Sequence, residues 1–298
     1  MTPEQLRVFV AVAEEQHMTR AAARLNMTQS TASAAIAALE SRHQIALFDR
    51  IGRGISLTEE GRAFLPEARA VLARLAEAEA MLAETRGLER GHIRLVASQT
   101  IAGYWLPPYL AAFRQARPGI EVTLEIGNTQ EAADRLRAGL HDLALVEGDV
   151  EDAKLERVQI GADQLILVSA APPPGKLDAR ALSEANWVLR EPGSGTRSTA
   201  EAALADLGVA PGALSAALVL PSNEAVLSAV EAGAGITILS AHVVARALSL
   251  GTVRDWELQL APRPFYALRH RDHHVSHAAG DLLARIDQSQ LDEFNQME

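Results

Sequence analysis

The sequence predicts an α/β protein that carries a small helical head and a long connecting helix. Three observations predict it. Residues 19–40 read as two short helices joined by a tight turn. Residues 46–58 read as two short strands around Gly52-Arg53-Gly54. From Gly91 onward, short apolar runs alternate with helical patterns. The first two features together make a winged helix-turn-helix. The third implies βαβ units, hence parallel sheets with right-handed crossovers.

The chain opens on a helix. Thr2 can cap it, Pro3 suits its first turn and Gln5 completes a capping box. Leu6, Phe9, Val10 and Ala13 form its apolar stripe. Thr19 is expected to cap the second helix through its hydroxyl. Asn26 and Met27 make the turn, and Thr28 caps the third helix in the same way. That helix buries Ala32, Ile36 and Leu39 at i, i+4 and i+7. Gln29, Ser30, Ser33, Ala34 and Ala37 are left outward. Small and polar residues on a leading turn suit close approach to a major groove, where an amide or hydroxyl meets base edges. The partner this points to is double-stranded DNA. The strand pair that follows puts Arg50 and Arg53 at the wing, in reach of phosphates or the minor groove.

Thr58 caps a long helix from about Glu59 to Arg86, with Pro66 inside it and Gly87 as its stop. Leu65, Ala68, Leu72 and Leu75 repeat at steps of three and four. Strict alternation would next land on Glu79, and the stripe drifts through Ala78 to Leu82 instead. So narrow a seam suggests helix pairing between chains. The alternative is a helix lying on its own domain.

Beyond Gly91, strands are read at 93–97, 121–126, 143–146, 165–169, 187–189, 236–239 and 265–268. Helices are read at 102–117, 131–138, 198–207, 223–232 and 275–288. The Pro- and Gly-rich run 171–175 is a surface turn. No internal repeat or low-complexity tract interrupts the pattern.

Composition narrows the class. The chain has 298 residues, enough for two or three domains, and 48% of them are apolar. No run approaches the roughly 18 continuous apolar residues of a membrane span. The N-terminus has no basic lead into an apolar core, so no secretory signal is read. Cysteine is absent, which excludes disulfides and thiolate chemistry. A cytoplasmic protein is expected. The net charge of −10 is unevenly spread: residues 1–58 hold six Arg against five Asp and Glu, a net of +1. A near-neutral DNA module on an acidic body binds modestly per copy and more weakly as salt rises. It needs dimerisation to reach useful affinity.

The ordered set Phe9; Ala21-Ala22-Ala23-Arg24-Leu25; Thr28-Gln29-Ser30-Thr31-Ala32-Ser33; Leu39-Glu40; Leu47-Phe48-Asp49-Arg50; and Leu57-Thr58-Glu59-Glu60-Gly61 resembles a LysR-type transcriptional regulator. The resemblance covers the whole chain. Two departures stand out. Ala34-Ala35 replaces a basic or amide pair often found there, so contacts from those positions are lost or replaced. Ala32 stands where a β-branched residue is common. The body is similar to a narrower group, regulators of sulfur assimilation that include sulfite sensors, near those of carbon fixation. The shared strings are Ala97-Ser98-Gln99-Thr100-Ile101, Gly127-Asn128-Thr129, Val146-Glu147-Gly148, Arg190–Arg197 and Ser222-Asn223-Glu224-Ala225.

The resemblance implies a winged helix-turn-helix at 1–58, a linker and dimerisation helix at 59–87, and an effector-binding domain at 88–298. That domain is of the two-lobed type II periplasmic-binding kind, with lobe one at 91–161 and 266–298 and lobe two at 162–265. It implies DNA contacts from Arg20, Thr28, Gln29, Ser30, Thr31 and Ser33, with Arg50 and Arg53. It implies pseudo-palindromic half-sites at a promoter, RNA polymerase as a partner at activated promoters, and a homodimer or homotetramer. No enzyme activity, cofactor or membrane is implied.

Ligands of open α/β sheets bind beyond the carboxyl ends of strands, at helix N-termini. Ser98, Gln99 and Thr100 follow the first such strand, and Asn128 and Thr129 the next. Their hydroxyls and the following free N–H groups suit a small anion. Gly193 to Arg197 would face them from the other lobe. Ser194, Gly195 and Thr196 offer donors and close backbone approach, and Arg197 offers fixed charge. The alternative for this string is a plain helix cap. It lacks the Gly-Lys-Ser/Thr ending of a P-loop and the pattern of a hydrolase elbow. Ser222 and Asn223 open another helix. Glu147, at a strand end of the effector cleft, could repel wrong anions, bind an amine or pair with Arg197, and the salt bridge with Arg197 is the expected reading. His270, His273, His274 and His277 read as a solvated surface cluster rather than a metal site. The rival functions are a solute-binding module or enzyme on the same two-lobed fold, and a nucleoid-type architectural protein. The first lacks a signal peptide or a placed nucleophile, and the second would be basic throughout.

Overall fold

The computed structural model describes residues 1–51, 54–84, 91–148, 150–173, 177–210, 212, 214–273 and 275–296. The chain divides into two compact units, Met1–Thr85 with Ala138–Leu140, and Arg86–Arg137 with His141–Glu298.

In the first unit, α1 (Pro3–Glu15) starts on a reciprocal capping box. Thr2 Oγ1 accepts from the Gln5 N–H at 3.2 Å, and Gln5 Oε1 accepts from the Thr2 N–H at 2.9 Å. More than one stripe is buried, because Val8, Ala11 and Val12 join Leu6, Phe9, Val10 and Ala13 out of water. The later helices and the wing surround α1. The Phe9 ring lies 5.4 Å from Phe48 and 5.1 Å from Phe64, centroid to centroid.

α2 (Met18–Arg24) is not capped by Thr19. Gln16 ends α1 in the left-handed conformation, φ 49°, and the chain re-enters a helix after His17 alone. Thr19 therefore falls inside the first turn. α3 (Gln29–His43) follows Asn26, also left-handed at φ 54°. The wing strands β1 (Phe48–Ile51) and β2 (Gly54–Leu57) pair antiparallel. Glu40 Oε1 accepts from the N–H groups of Leu47 and Phe48 at 2.7 and 3.2 Å, which fixes the entry to β1.

α4 (Glu59–Glu84) is capped by Thr58, whose Oγ1 accepts from the Gly61 N–H at 2.9 Å and donates to Ala46 O at 2.8 Å. A Cβ on Gly61 would fall inside 3.0 Å of the Leu47 carbonyl, so only glycine lets α4 start against the wing. Leu65, Ala68 and Leu72 pack on the core of their own unit. The first half of the expected pairing seam thus packs within the chain, and among the described side chains of α4 the large exposed apolar ones are Val71 and Leu82. Arg86 and Gly87, the expected end of the helix, lie outside the described residues.

The second unit holds two five-stranded sheets. One has the order β4-β3-β5-β12-β6, formed by β3 (Gly91–Ala97), β4 (Ile120–Ile126), β5 (Leu143–Glu147), β6 (Leu155–Asp163) and β12 (Arg263–His270). The other has the order β11-β7-β10-β8-β9, from β7 (Leu165–Ser169), β8 (Asn186–Arg190), β9 (Ser215–Leu220), β10 (Ile236–Ser240) and β11 (Arg254–Asp255). Neither is all-parallel. β3 runs parallel to β4 and β5, but β12 runs antiparallel to β5 and β6. β8 runs parallel to β9 and β10, but β7 lies antiparallel to both of its neighbours, β10 and β11. The reason is the path of the chain. It leaves the first sheet between β6 and β7 and returns between β11 and β12, and the strand entered after each crossing, β7 and β12, is the reversed one.

Helices cover both faces of each sheet, so the central strands are near-continuous apolar runs. Ile93, Leu95 and Ala97 face Trp105, Phe113, Phe265 and Leu282, while Val96, Ala144 and Val146 face Ala132, Ala133 and Leu136. The helices are a π-helical turn at Ile101–Trp105, α5 (Pro107–Ala116), α6 (Thr129–Arg137), α7 (Ala179–Glu184), α8 (Gly195–Asp206), α9 (Asn223–Glu231), α10 (Ala241–Leu250) and α11 (His277–Gln296). Among the described residues, no helix is long and apolar enough to cross a membrane.

One buried histidine ties the stability of this unit to pH. Burial holds the His141 imidazole below its ordinary value. Glu125, 3.4 Å away, opposes that shift, and Arg135 and Arg94 reinforce it. The folded state therefore favours the neutral ring, and an unfolded chain takes up the proton first. Stability is expected to fall as pH drops below about 6.5. The tryptophans Trp105, Trp187 and Trp256 all lie in this unit, so their fluorescence reports its unfolding. The denaturant midpoint at pH 5.5 should lie below that at pH 8, and His141→Gln should flatten the difference.

Candidate functional site

The first unit presents the leading turn of α3. Thr28 Oγ1 accepts from the Thr31 N–H at 3.2 Å and lies 2.8 Å from both Ser30 Oγ and Thr31 Oγ1. A cluster of three hydroxyls thus stands at the helix N-terminus. Gln29, Ser30, Thr31, Ala34 and Ala37 are exposed, and Ser33 is half-buried. Arg20 is exposed, donates to Glu15 O at 2.6 Å and lies 3.4 Å from the Glu15 carboxylate. A second ion group stiffens α1. Burial alone would raise the Glu14 carboxyl, but Arg69 at 2.8 Å and Arg24 at 2.6 Å hold it below its ordinary value. The Arg50 side chain and all of Arg53 lie outside the described residues.

In the second unit, the carboxyl ends of β3 and β4 meet those of β8 and β9. Thr100 is fully buried, and its hydroxyl accepts from Asn223 Nδ2 at 3.2 Å. Gln99 Oε1 accepts from the Asn223 N–H at 3.0 Å, and Gln99 Nε2 donates to Pro221 O at 2.9 Å. Asn128 Nδ2 donates to Glu191 Oε1 at 3.3 Å, and the Gln130 N–H donates to Gly193 O at 3.2 Å. The Tyr104 hydroxyl donates to Glu224 at 3.1 Å. Burial, then the Glu224 charge, push that phenol up to about 12. Each of these bonds joins one sheet's lobe to the other. Behind them sits Arg190, with its side chain 3% exposed. Its Nη1 donates to Asn223 Oδ1 at 2.5 Å, and its Nε and Nη2 donate to the two Glu191 oxygens at 2.8 and 2.9 Å.

A second cluster lies where the chain crosses between lobes. Arg263 and Asp163 stand opposite each other in the β12–β6 register, both side chains wholly buried, with Nη2 2.5 Å from Oδ2. Arg263 Nη1 also donates to Thr196 Oγ1 at 2.9 Å and lies 3.5 Å from Glu147 Oε1. Thr196 Oγ1 in turn donates to that oxygen at 3.2 Å. Two carboxylates from strands of the first sheet thus share one guanidinium with a hydroxyl from α8.

Residues 3–62 match the profile of the bacterial regulatory helix-turn-helix proteins of the lysR family, and residues 86–290 match the LysR substrate binding domain. The chain belongs to the LysR family. The HTH-type transcriptional regulator YeiE of Escherichia coli (strain K12) is 32% identical over 292 residues, covering 96% of this chain and 97% of that protein. The RuBisCO operon transcriptional regulator of Allochromatium vinosum is 31% identical over 284 residues, 93% and 92% of the two chains. Full-length CbnR, solved in complex with its target DNA, shares the fold with a TM-score of 0.66 at 24% identity, over 97% of this chain and 98% of that one. This LysR-family protein is accordingly a DNA-binding transcriptional regulator with an effector-binding domain.

Several expected site residues of the LysR-family chain are occupied otherwise than the sequence suggested. Glu147 does not pair with Arg197. It meets Arg263, which is 116 residues further on, while Arg197 pairs with Glu201 one helical turn later at 2.7 Å and donates to Arg190 O at 3.1 Å. Ser194, Ser222 and Asn128 accept from the N–H groups of Arg197, Ala225 and Glu131, so these oxygens cap helices. Ser98 Oγ accepts from the Ile101 N–H at 3.5 Å, and Thr129 Oγ1 donates to Glu147 O at 2.9 Å. Gly195 packs directly on the Glu147 carbonyl. His270 is buried and its ring stacks on His273 at 3.9 Å, so the cluster is not all solvated, and His274 lies outside the described residues. Among the described residues, no group of three His, Cys, Asp or Glu side chains could hold a metal ion.

Sequence reasoning missed Arg190, Glu191, Tyr104, Glu224, Asp163 and Arg263. An arginine closing the apolar run Trp187-Val188-Leu189 was a usable signal, because a charge ending a buried strand needs a partner. Arg263 gave none, since its neighbours Pro262 and Pro264 make the segment read as loop.

Proposed function

We propose that this regulator binds pseudo-palindromic promoter half-sites through α3 as a homodimer or homotetramer, and answers a small anionic effector held between its two lobes. The observation that carries this is the buried Arg190 guanidinium, bonded to the same Asn223 that Thr100 and Gln99 reach from the other lobe. An oxyanion there would find a fixed cation, hydroxyl and amide donors, and helix N-termini. Ser98, Gln99, Thr100, Asn128, Thr129, Ser194, Gly195, Thr196, Ser222 and Asn223 line or shape that cleft. Glu147 and Arg197 support it through their own partners. Exposed apolar side chains on the edge strands, Ile126 on β4 and Leu218 and Val219 on β9, favour self-association.

The effector acts by binding one arrangement of the lobes better than another, and the bound dimer's spacing on DNA follows. The protein works in the cytoplasm, with RNA polymerase as its partner at activated promoters. The likeness to a RuBisCO operon transcriptional regulator favours an effector from carbon-fixation metabolism, and the strings shared with the sulfur-assimilation group favour an inorganic sulfur anion as the alternative. A solute-binding module or an enzyme would not need the DNA-binding head.

Two variants test the two halves of this reading. Gln29→Ala should weaken binding to the cognate operator by about 1–3 kcal/mol and leave scrambled duplex almost unchanged. Thr100→Val should remove the effector response and spare DNA binding. Gel shifts on both duplexes, with and without effector, measure the outcome. Equal losses on both duplexes for Gln29→Ala, or an unaltered effector response in Thr100→Val, would refute the assignment.

A further inference from the structure

The Arg190–Glu191 pair has a geometry that a simple structural ion pair does not need. The two residues are adjacent in sequence, yet both Glu191 oxygens lie on the guanidinium, at 2.8 and 2.9 Å. One of those oxygens also takes the Asn128 amide of the opposite lobe, at 3.3 Å. Arg190 is buried, whereas the Glu191 side chain is 23% exposed and can swing outward. The carboxylate therefore sits where an incoming oxyanion would be received. It satisfies the buried Arg190 cation and takes a donor from each lobe.

We infer that Glu191 is a resident competing anion, which an effector must displace from Arg190 and Asn128 in order to bind. This rests on the anionic-effector reading above and adds its regulation. A guanidinium edge holds one pair of oxygens at a time. Two anions on the same edge would repel each other in a water-poor site. Binding is then an exchange, in which the effector gains the Arg190 edge and Glu191 moves to water. Three consequences follow. Effector affinity is set lower than the cleft alone would give, so the protein responds at a higher threshold concentration. Anions with two oxygens spaced like a carboxylate or sulfate replace Glu191 well, and halides do not. The exchange also breaks the Asn128–Glu191 bond between lobes, so occupancy is transmitted to the lobe contact.

The test is a calorimetric titration of the full chain with sodium sulfate at fixed ionic strength, made up with sodium chloride. Wild type is compared with Glu191→Gln and Glu191→Ser, and melting curves check that each variant is folded. Glu191→Gln keeps the shape and removes the charge. Both variants should bind sulfate with a midpoint about tenfold lower than wild type, the worth of one charge-assisted contact. Binding with unchanged midpoints in both variants would overturn the role of Glu191 and leave the anion cleft standing. Failure of sulfate, phosphate, bicarbonate and acetate to bind wild type or either variant would overturn both the cleft and the competing anion.

Discussion

Replacing Arg263 with methionine is expected to destabilise the second unit by about 3–5 kcal/mol, the usual cost of removing one partner from a buried ionic cluster. The guanidinium is wholly buried and serves Asp163, Glu147 and Thr196 together. Methionine fills a similar volume, so the loss is electrostatic rather than steric. It would leave two buried carboxylates, on the two strands that flank β12, with no cation between them. For a unit of about 200 residues each kcal/mol moves the melting point by about 2–4 °C, so a drop on the order of 10 °C should appear in tryptophan fluorescence. The combined variant Arg263→Met with Asp163→Leu should recover part of the loss, because it removes one of the orphaned charges. A melting point for Arg263→Met within 2 °C of wild type would show that the cluster does not hold the crossing together.

The same cluster shows where the sequence was readable and where it was not. Local chemistry read well. The Thr2–Gln5 box, the Thr28 cap and the burial of Ala32, Ile36 and Leu39 depend on residues within a turn or two of each other. Thr19 misled because a left-handed Gln16 moved the helix start forward, and nothing in the local pattern marks that. The seam of α4 is open to two readings for a different reason. A stripe of Leu65, Ala68 and Leu72 carries no label saying whether it faces a second chain or its own core.

Strand direction was beyond a local reading. Alternating strands and helices signal crossovers, but β12 joins the first sheet from the far end of the chain and lies antiparallel there. Site partners failed in the same way. Glu147 was matched with Arg197 because both belong to recognisable strings, whereas its cation arrives from β12. The cleft's positions were legible as the turns after strands. The identity of the buried cation was not, because Arg190 fell between the strand read at 187–189 and the turn read as the site at 193–197.

Gly195→Ala should produce the other large effect, and through sterics instead of charge. A Cβ on this residue would lie well inside 3.0 Å of both the Glu147 carbonyl oxygen and Thr129 Oγ1, closer than real Cβ atoms come. Backbone on one side and a bonded hydroxyl on the other leave no flexible end to yield. Helix α8 must therefore lift from β5, which parts Thr196 from Glu147 and Arg263 and moves Ser194 and Gly193 away from lobe one. Overpacking of this kind costs about 1–3 kcal/mol, and the effector response should be lost with it. Gly280→Ala supplies the control. It sits exposed on α11 with nothing within 4 Å of its would-be Cβ, and should stabilise by up to about 1 kcal/mol from helix propensity alone. DNA binding by Gly195→Ala should persist at low salt, because the first unit folds around its own core. If Gly195→Ala melts with wild type and still answers the effector, the close approach of α8 to β5 is not what couples the two lobes.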